Sequence, residues 1–413
     1  MDFIIDDMIA IGQRIASAQN RKRTAALEYA RDIHEYNALV VQHSLAHSEL
    51  ASLLGVNRNK LHELVDEAID KGIIEKPQKD KTKYYYTLKH VHAMMDWLEM
   101  PRWEDEYKQA VVLAVANLKG GTGKSSSAIH LAAAMALDYT IRPRTVVVDF
   151  DPQGSMSSIG TTVTDDDTNT ITAVDIALQD YEDGVAQQLF GEGATEIDVI
   201  SYSLIETHIS NLHIVPALTH DQRFDDIYYR LPEEKRPEFL AQLKDKLVAK
   251  LKEHYDLVII DTGPHNNPSA WAAIEAADAV LTPVSPRTLD WDATGLFLRT
   301  IPYYVKNFCP SAGKNVKWFK VGAVNTDKTH NRDKAMLLSI MQQAGTFALS
   351  NTILRTPAFE EANKKYVTVF DLKKKDAETT PKQIDHAVDS VKGFADEIKM
   401  SLAATFGVTD YDA

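Results

Sequence analysis

Cysteine is nearly absent from the sequence, and this excludes several classes of protein. The 413 residues include one cysteine, Cys309, so no disulfide can form within the chain. An iron protein whose cluster takes two cysteines from each subunit is excluded for the same reason. Such sparse usage is typical of a reducing compartment, and we interpret Cys309 as a structural thiol.

Long hydrophobic runs and a basic leader are also missing. No apolar run approaches the roughly 20 residues of a membrane-spanning helix. The first residues, MDFIIDDMIA, carry acids where a secretory signal would carry basic residues. We therefore expect a cytoplasmic protein with no membrane partner.

Positive charge is in deficit, with 45 Lys and Arg residues against 59 Asp and Glu residues and a net charge of −14. This balance excludes a surface that is basic throughout. It does not exclude DNA binding, because the electrostatic part of DNA affinity depends on local phosphate contacts. The length exceeds the roughly 150 residues of one domain, so two or three domains are expected.

Residues 1–38 are predicted to form one long helix. Apolar residues recur at three- and four-residue steps from Ile4 to Ala18 and again from Ala25 to Ile33. Such an apolar stripe must be buried against another surface. We predict dimerisation with the same helix of a second chain, and docking onto the following domain is the alternative.

Residues 39–100 contain a pattern typical of a helix–turn–helix. A helix with an apolar face meets Gly55, which tolerates the positive φ of a sharp turn, and a second such helix follows. Polar and basic residues at the start of the second helix can reach base edges and phosphates in the major groove. The DNA contacts predicted there are Asn57, Arg58, Asn59 and Lys60.

The next segment, EKPQKDKTKYYYTL, alternates charged and aromatic residues as a short hairpin does. A winged element lying along the DNA backbone would have this composition. Lys81 and Lys83 are the DNA contacts predicted in it, which makes 39–100 an α-helical winged helix–turn–helix domain. The alternative is an ordinary small helical domain with solvated lysines.

After 101–110, which we interpret as a linker or docking strap, the pattern changes to short apolar runs separated by helical segments. The runs VVLAVANL, TVVVDF, LHIVPA, LVIID, AVLTPV and KVGAVN suit parallel strands covered by helices on both faces. We therefore predict a doubly wound α/β domain with a mostly parallel sheet over 111–413. Its ligand site is expected beyond the carboxyl ends of the strands.

The first of these strands runs into a glycine-rich loop, KGGTGKSS, and then into a helix, as a phosphate-binding loop requires. Gly120, Gly121 and Gly123 let backbone N–H groups point inward, and the helix N-terminus adds partial positive charge. The loop is therefore predicted to hold the phosphates of a nucleotide.

Side chains of the same loop supply further contacts. Lys124 can reach the β- and γ-phosphates, and the Ser125 hydroxyl can ligate Mg²⁺. Leu118 occupies the place of the first glycine in the common eight-residue pattern, so the loop is a variant. Lys119 is an additional basic residue that an ordinary loop does not need.

Carboxylates end two of the predicted central strands. Asp149 and Asp151 follow one apolar run, and Asp261 ends another. Acids at these positions are placed to hold Mg²⁺ through water and to orient an attacking water. The alternative is a set of solvated strand-end acids, but the order of the three segments favours nucleotide hydrolysis.

The segments KGGTGKSS, VVVDFDPQGS and DLVIIDTGPH resemble the variant Walker A, A′ and Walker B motifs of the ParA family of DNA-partition ATPases. The N-terminal helix with its helix–turn–helix resembles the large plasmid-type branch, so the likeness covers nearly the whole chain. The resemblance implies a P-loop ATPase, with ATP and Mg²⁺ as its ligands, that binds DNA nonspecifically as an ATP-bound homodimer. It further implies a ParB-type centromere-binding partner, repression of its own operon and nucleoid association, and it leaves filament formation on DNA open.

The resemblance also implies roles for single residues. Lys119 would reach across the dimer to the phosphates bound by the partner subunit, where its charge acts only when two subunits close. Lys124 would contact the phosphates and Asp151 would position the lytic water. The Mg²⁺ ligands implied are Ser125, Asp149 and Asp261; the other nucleotide contacts implied are Gly120, Gly121, Thr122, Gly123, Ser126 and, at the adenine, Asn325.

Nonspecific DNA contacts are expected in the late segment LRTPAFEEANKKY. Arg355 and Lys364 are the candidates, although Glu360 and Glu361 interrupt the basic residues.

Two other functional classes share these motifs. A nucleotide-sensing transcription regulator would bind ATP without partner-stimulated turnover. A membrane-positioning ATPase of the MinD kind would have a basic amphipathic C-terminal helix, whereas this chain ends SLAATFGVTDYDA with two acids. The segregation ATPase is therefore the preferred interpretation.

Overall fold

The computed structural model of the chain describes residues 8, 10–14, 33–80, 83–153 and 170–408, which contain two β-sheets. A three-stranded sheet lies in the N-terminal part and a seven-stranded sheet in the remainder. Among the described helices, none combines the length and apolar character that crossing a bilayer requires.

The N-terminal part packs three helices around a small antiparallel sheet. Strand β3 is central and pairs with both β1 and β2. A core that includes Leu50, Leu61, Val91 and Met94 joins the helices to this sheet. The elements are α1 (Ile33–Gln42), β1 (Leu45–Ala46), α2 (His47–Leu53), α3 (Arg58–Asp70), β2 (Gln78–Asp80), β3 (Lys83–Tyr86) and α4 (Leu88–Trp97).

The turn between α2 and α3 lies where the sequence pattern predicts it. Gly55 has a φ of 67°, in the left-handed region that favours glycine. Asn57 then caps α3, because its side-chain oxygen accepts a hydrogen bond from the backbone N–H of Lys60 at 2.9 Å.

Only parts of the predicted N-terminal helix fall within the described residues. Residues 10–14 and 33–38 are helical, and 15–32 lie outside. The second helical piece continues beyond the predicted end at 38 to Gln42, because the apolar run that includes Val40 and Val41 extends it. Met8 and Ile11 are 65% and 49% exposed, so the residues that the structure describes do not bury this part of the apolar stripe.

The large sheet is mostly parallel, in the order β10–β9–β4–β8–β5–β7–β6, and only β6 runs antiparallel. The prediction of a doubly wound, mostly parallel sheet is thus confirmed. The two-residue strand β6 was not predicted. The strands are β4 (Val111–Val115), β5 (Thr145–Phe150), β6 (Ile205–Glu206), β7 (Leu212–Val215), β8 (Leu257–Thr262), β9 (Ala279–Val284) and β10 (Trp318–Ala323).

Helices cover both faces of this sheet. Leu113 and Val115 of β4 pack into the layer formed with α6 and α17, while Val112 and Ala114 pack into the layer formed with α13 and α14. Cys309 is buried in the second layer, as predicted. The helices are α5 (Trp103–Glu106), α6 (Lys124–Ala136), α7 (Ala173–Ala177), α8 (Val185–Gly191), α9 (Glu196–Ser203), α10 (Arg223–Arg230), α11 (Arg236–Gln242), α12 (Ala249–His254), α13 (Pro268–Ala276), α14 (Thr288–Phe308), α15 (Asn331–Ala344), α16 (Pro357–Lys364) and α17 (Pro381–Phe406).

Residues 101–110 form a packed strap between the two parts. The rings of Trp103 and Tyr107 are buried and stack with centroids 3.7 Å apart. The Tyr107 hydroxyl donates a hydrogen bond to the Lys399 carbonyl of α17 at 2.8 Å. Nearby, the buried Arg142 donates to the carbonyl oxygen of Met100 at 2.6 Å and pairs with the Asp96 carboxylate at 2.5 Å. The strap is therefore held on both sides.

Candidate nucleotide-binding site

The glycine-rich loop leaves β4 and enters α6 at the carboxyl edge of the large sheet. Gly121 and Gly123 have φ values of 74° and 80°, which non-glycine residues rarely adopt. A Cβ atom on Gly123 would also lie 3.4 Å from the Val324 side chain. The loop therefore has the backbone shape in which successive N–H groups can face an anion.

Lys124 is folded inside this loop. Its side chain is buried, and its ammonium donates a hydrogen bond to the Lys119 carbonyl at 3.3 Å. The Thr122 hydroxyl donates to the same carbonyl at 3.1 Å. The Lys119 side chain, by contrast, is exposed at the rim. The two lysines of the loop thus differ in burial, because Lys124 is buried and Lys119 is exposed.

The three predicted carboxylates lie at the ends of neighbouring strands. Asp149 of β5 is directly opposite Asp261 of β8 in the parallel register, and both are fully buried. Asp151 is 7% exposed, and one of its carboxylate oxygens accepts the backbone N–H of Gln153 at 3.0 Å. A Cβ atom on Gly263 would lie 3.2 Å from the same oxygen, so the segment after β8 packs closely on Asp151.

The environment of Asp261 perturbs its ionisation. Burial raises its pKa to about 7, while the Ser125 hydroxyl and the Lys124 ammonium act in the opposite direction. Burial likewise lowers the pKa of Lys124, against the attraction of Asp261 and Asp151. Neither carboxylate oxygen of Asp261 has a well-formed hydrogen bond with the described residues. Buried oxygens in this state fit a hard cation, and Ser125 with Asp149 would complete an oxygen donor set for Mg²⁺.

The raised pKa of Asp261 predicts a pH dependence of stability. The folded chain keeps a proton that the unfolded chain releases near pH 4, so stability falls as pH rises from about 4 to about 7. Asp261→Asn cannot ionise and should avoid this loss. We expect its melting temperature without nucleotide to exceed that of the unmodified chain by several degrees near pH 8 and by less near pH 5. Calorimetry showing the same difference at both pH values would contradict this assignment.

Asn325 is placed beside the loop by β10. Its φ of 54° is unusual for a residue other than glycine, and its neighbour Val324 packs against Gly123. The chain then pairs with a later segment, where the Arg355 N–H donates to the Thr326 carbonyl at 2.8 Å. Arg355 is exposed and thus lies close to the predicted adenine contact.

Lys364 is also exposed, but it lies at the far end of α16. The eight-residue helix separates it from Arg355 by roughly 12 Å. Glu361 is buried, and its pKa is lowered to about 2 because its pair with Lys365 and the Thr379 amide outweigh the effect of burial. Its charge is therefore satisfied internally.

Two buried polar residues next to the glycine-rich loop were not predicted from the sequence. The Asn117 amide donates to the Pro283 carbonyl at 2.9 Å and to the Thr294 hydroxyl at 2.8 Å, which ties the end of β4 to β9 and α14. His130 of α6 is fully buried and bonds to the Ser126 carbonyl at 2.7 Å. The only local sequence signal for Asn117 is that a polar residue follows an apolar strand. No local sequence signal marks His130.

The DNA contacts predicted within 39–100 and described by the structure lie at the starts of α3 and β3. Arg58, Asn59 and Lys60 are exposed at the start of α3, although Lys60 also pairs with Glu63 at 3.0 Å. Asn57 uses its side-chain oxygen to cap the helix, so only its amide nitrogen is left for a base or phosphate. Lys83 is exposed at the start of β3, and Lys81 lies outside the described residues.

The chain is similar in sequence and in fold to known proteins. A family model described as an AAA domain matches residues 110–310. Plasmid partition protein A of Escherichia coli is 25% identical over 275 residues, which cover 63% of this chain and 64% of that protein. The chromosome partitioning protein ParA of Caulobacter vibrioides is 29% identical over 191 residues, which cover 46% of this chain and 61% of that protein. The chain thus spans less than two thirds of the length of these two relatives.

A solved structure described as a partition protein shares the fold over most of the chain. It superposes with a TM-score of 0.64 at 18% sequence identity and covers 92% of this chain and 97% of that one.

Proposed function

We propose that the chain is a ParA-type partition ATPase and hydrolyses ATP to segregate DNA, because its sequence is similar to a plasmid partition protein A and to a chromosome partitioning protein ParA. In this proposal an ATP-bound dimer binds DNA nonspecifically on the nucleoid and acts with a ParB-type centromere-binding partner. The observation that carries the proposal is the contrast between two lysines of one loop. Lys124 is buried next to Asp261, whereas Lys119 is exposed at the rim.

The loop residues would bind the triphosphate in this proposal. Backbone N–H groups of the glycine-rich loop face the phosphates, and Lys124 exchanges its hydrogen bond with the Lys119 carbonyl for the β- and γ-phosphate oxygens. Ser125, Asp149 and Asp261 would hold Mg²⁺. When bound, Mg²⁺ neutralises negative charge on the β- and γ-phosphates.

Asp151 is the proposed water-positioning residue. It lies at the end of β5 beside a cavity of about 480 Å³ that Gly263 and His265 also line. The Gln153 amide and the close approach of Gly263 fix its carboxylate. A water in this cavity would be oriented by Asp151 towards the γ-phosphate.

Lys119 is proposed to contact the nucleotide that is bound by a second subunit. An exposed ammonium adds little to a pocket within its own chain, but it can neutralise phosphate oxygens of a facing subunit once water is excluded. ATP would then hold the dimer together and its hydrolysis would release it.

Lys119→Ala is expected to weaken ATP-dependent dimerisation at least ~10-fold and leave ATP binding to the single chain nearly unchanged, because one charge-assisted contact across the dimer is lost. Sedimentation velocity with a nonhydrolysable ATP analogue measures the first effect, and fluorescent nucleotide titration measures the second. Lys382→Ala removes an exposed charge on α17 and serves as the control. Dimerisation identical in all three proteins would refute this role for Lys119.

The N-terminal part is proposed to bind operator DNA as a winged helix–turn–helix. Supporting this, the element order from α1 to β3 ends in an antiparallel hairpin next to the capped helix α3. Arg58 and Lys60 are exposed at the N-terminal end of α3, where a recognition helix contacts bases. The same chain would then repress its own operon.

DNA binding in three nucleotide states tests these proposals together. With ATP, ADP or no nucleotide, we measure anisotropy on random DNA and on the fragment upstream of the gene. Random DNA should be bound tightly only with ATP. Arg58→Ala should weaken upstream binding ~10-fold or more and leave random binding within a few-fold, whereas Arg332→Ala, an exposed charge on α15, should change neither.

The second candidate function, a nucleotide-sensing regulator, predicts a different result in the same experiment. It would bind the upstream fragment without ATP-dependent binding to random DNA, and a ParB-type partner would not stimulate turnover. That outcome would overturn the segregation proposal and keep the role of α3.

A further inference from the structure

Three segments far apart in the sequence bring a carboxylate and two imidazoles together away from the nucleotide site. His43 follows α1, His208 lies between β6 and β7, and Asp371 ends the short turn Val369–Asp371. Their side chains are 9%, 3% and 0% exposed. The cluster therefore joins the N-terminal part, the edge of the large sheet and the C-terminal segment.

The donor atoms converge on one point. Each imidazole directs its Nε2 atom at the same Asp371 oxygen, Oδ1, at 2.6 Å. All three donor atoms lie within 4.8 Å of one another. The two rings are nearly parallel, with centroids 5.6 Å apart.

Neighbouring groups fix the carboxylate in this orientation. The other Asp371 oxygen, Oδ2, accepts the Thr368 N–H and hydroxyl, both at 2.7 Å. Oδ1 is thus left to the imidazoles. Ligands of protein metal sites are commonly oriented by such outer hydrogen bonds.

A further oxygen and open space lie beside the cluster. The Gln42 amide nitrogen donates to the Phe370 carbonyl at 3.2 Å, next to Asp371 in the chain. The Gln42 side-chain oxygen is buried and has no hydrogen-bond partner among the described residues. A cavity of about 710 Å³, lined in part by Gln42 and His43, opens on this side and can supply water.

From this geometry we infer that His43, His208 and Asp371 form a binding site for one transition-metal ion of the Zn²⁺ class. Two imidazoles with one carboxylate suit Zn²⁺, Co²⁺ or Ni²⁺, whereas Mg²⁺ prefers oxygen ligands. Gln42 or a water from the cavity would complete the coordination. The site is separate from the proposed nucleotide site, because its three ligands belong neither to the glycine-rich loop nor to the acids at the strand ends.

Binding of the ion would change the distances within the cluster. Ligand atoms of a tetrahedral zinc site lie about 3.3 Å apart, given bonds of about 2.0 Å. The two contacts of 2.6 Å must therefore lengthen by about 0.7 Å. The cavity next to His43 gives that side chain room to move.

The position of the site gives the ion a structural consequence. Val369, in the same turn as Asp371, donates its N–H to His130 at 3.2 Å, and His130 bonds to the Ser126 carbonyl in the first turn of α6. A bound ion would therefore fix the N-terminal part against the turn that contacts the helix of the phosphate loop.

Metal titration of the full chain without nucleotide tests the inference. After treatment with a chelator, we expect one equivalent of Co²⁺ per chain to bind and give visible d–d absorption, Zn²⁺ to displace it, and Mg²⁺ not to compete. His208→Ala should weaken Co²⁺ binding at least ~100-fold, since one of three protein ligands is lost. His254→Ala removes an exposed imidazole from α12 and should have no effect.

Asp371→Asn keeps the shape of the side chain, so it tests the site even if His208→Ala misfolds. It should also lose Co²⁺ binding while its circular dichroism and ATP binding remain normal. Absence of stoichiometric Co²⁺ binding in the unmodified chain, or binding that survives both substitutions, would overturn the site. Because no nucleotide or DNA is present, this result is separate from the outcome of the segregation tests.

Discussion

Asp151→Ala is expected to slow ATP hydrolysis at least ~100-fold while ATP binding stays close to that of the unmodified chain. The carboxylate lies beside the cavity where a lytic water would sit, and removing a positioned general base typically costs 10² to 10⁴ in rate, to order of magnitude. Because the phosphate loop is intact, ATP should still close the dimer. We expect the variant to stay on random DNA long after the unmodified chain has dissociated.

Steady-state phosphate release and the dissociation rate from random DNA measure the two effects. Asp151→Asn is the matched control, since it keeps the size of the side chain and its contact with the Gln153 amide but cannot act as a base. If Asp151→Ala lost both ATP and DNA binding while remaining folded, the carboxylate would belong to ATP binding and not to the lytic water.

Lys124→Ala is expected to lower ATP affinity at least ~100-fold and with it ATP-dependent DNA binding. Lys124 is 6% exposed, and its ammonium would make two or more charge-assisted hydrogen bonds to phosphates, each worth about 1.5–3 kcal/mol. Its loss also leaves Asp261 and Asp151 without the positive charge that faces them. Isothermal titration with ATP measures the effect.

Lys119→Ala serves as the comparison for this experiment, because the two lysines belong to the same loop and differ in burial. Equal loss of ATP affinity in both variants would show that the distinction between an inner and an outer lysine is wrong. A circular dichroism spectrum of Lys124→Ala separates loss of binding from loss of folding.

The large sheet and the acids at its strand ends could be predicted because their signals are local. Runs such as the one ending at Asp149 are apolar on both faces, and a carboxylate following a parallel strand must lie at the ligand edge. The glycine loop was predictable for the same reason, since its positive φ values require glycine within a few residues. Local sequence therefore specified most of the candidate site.

Other features depend on residues that only folding brings together. His43 and Asp371 are 328 positions apart, and neither belongs to a motif. Helices α7 to α9 are five to eight residues long, too short for a clear apolar period. Asn57 shows a different limit of prediction from sequence. Its side chain suits both a DNA contact and a helix cap, and in the structure its oxygen caps α3.

The strap at 101–110 has a mechanical consequence. A flexible linker would let the N-terminal part move relative to the large sheet. Here the stacked Trp103 and Tyr107, the bond from Tyr107 to α17 and the clamp of Arg142 on the end of α4 resist shear together. If the N-terminal part binds DNA as proposed, these contacts would transmit a force on that DNA directly to the large sheet.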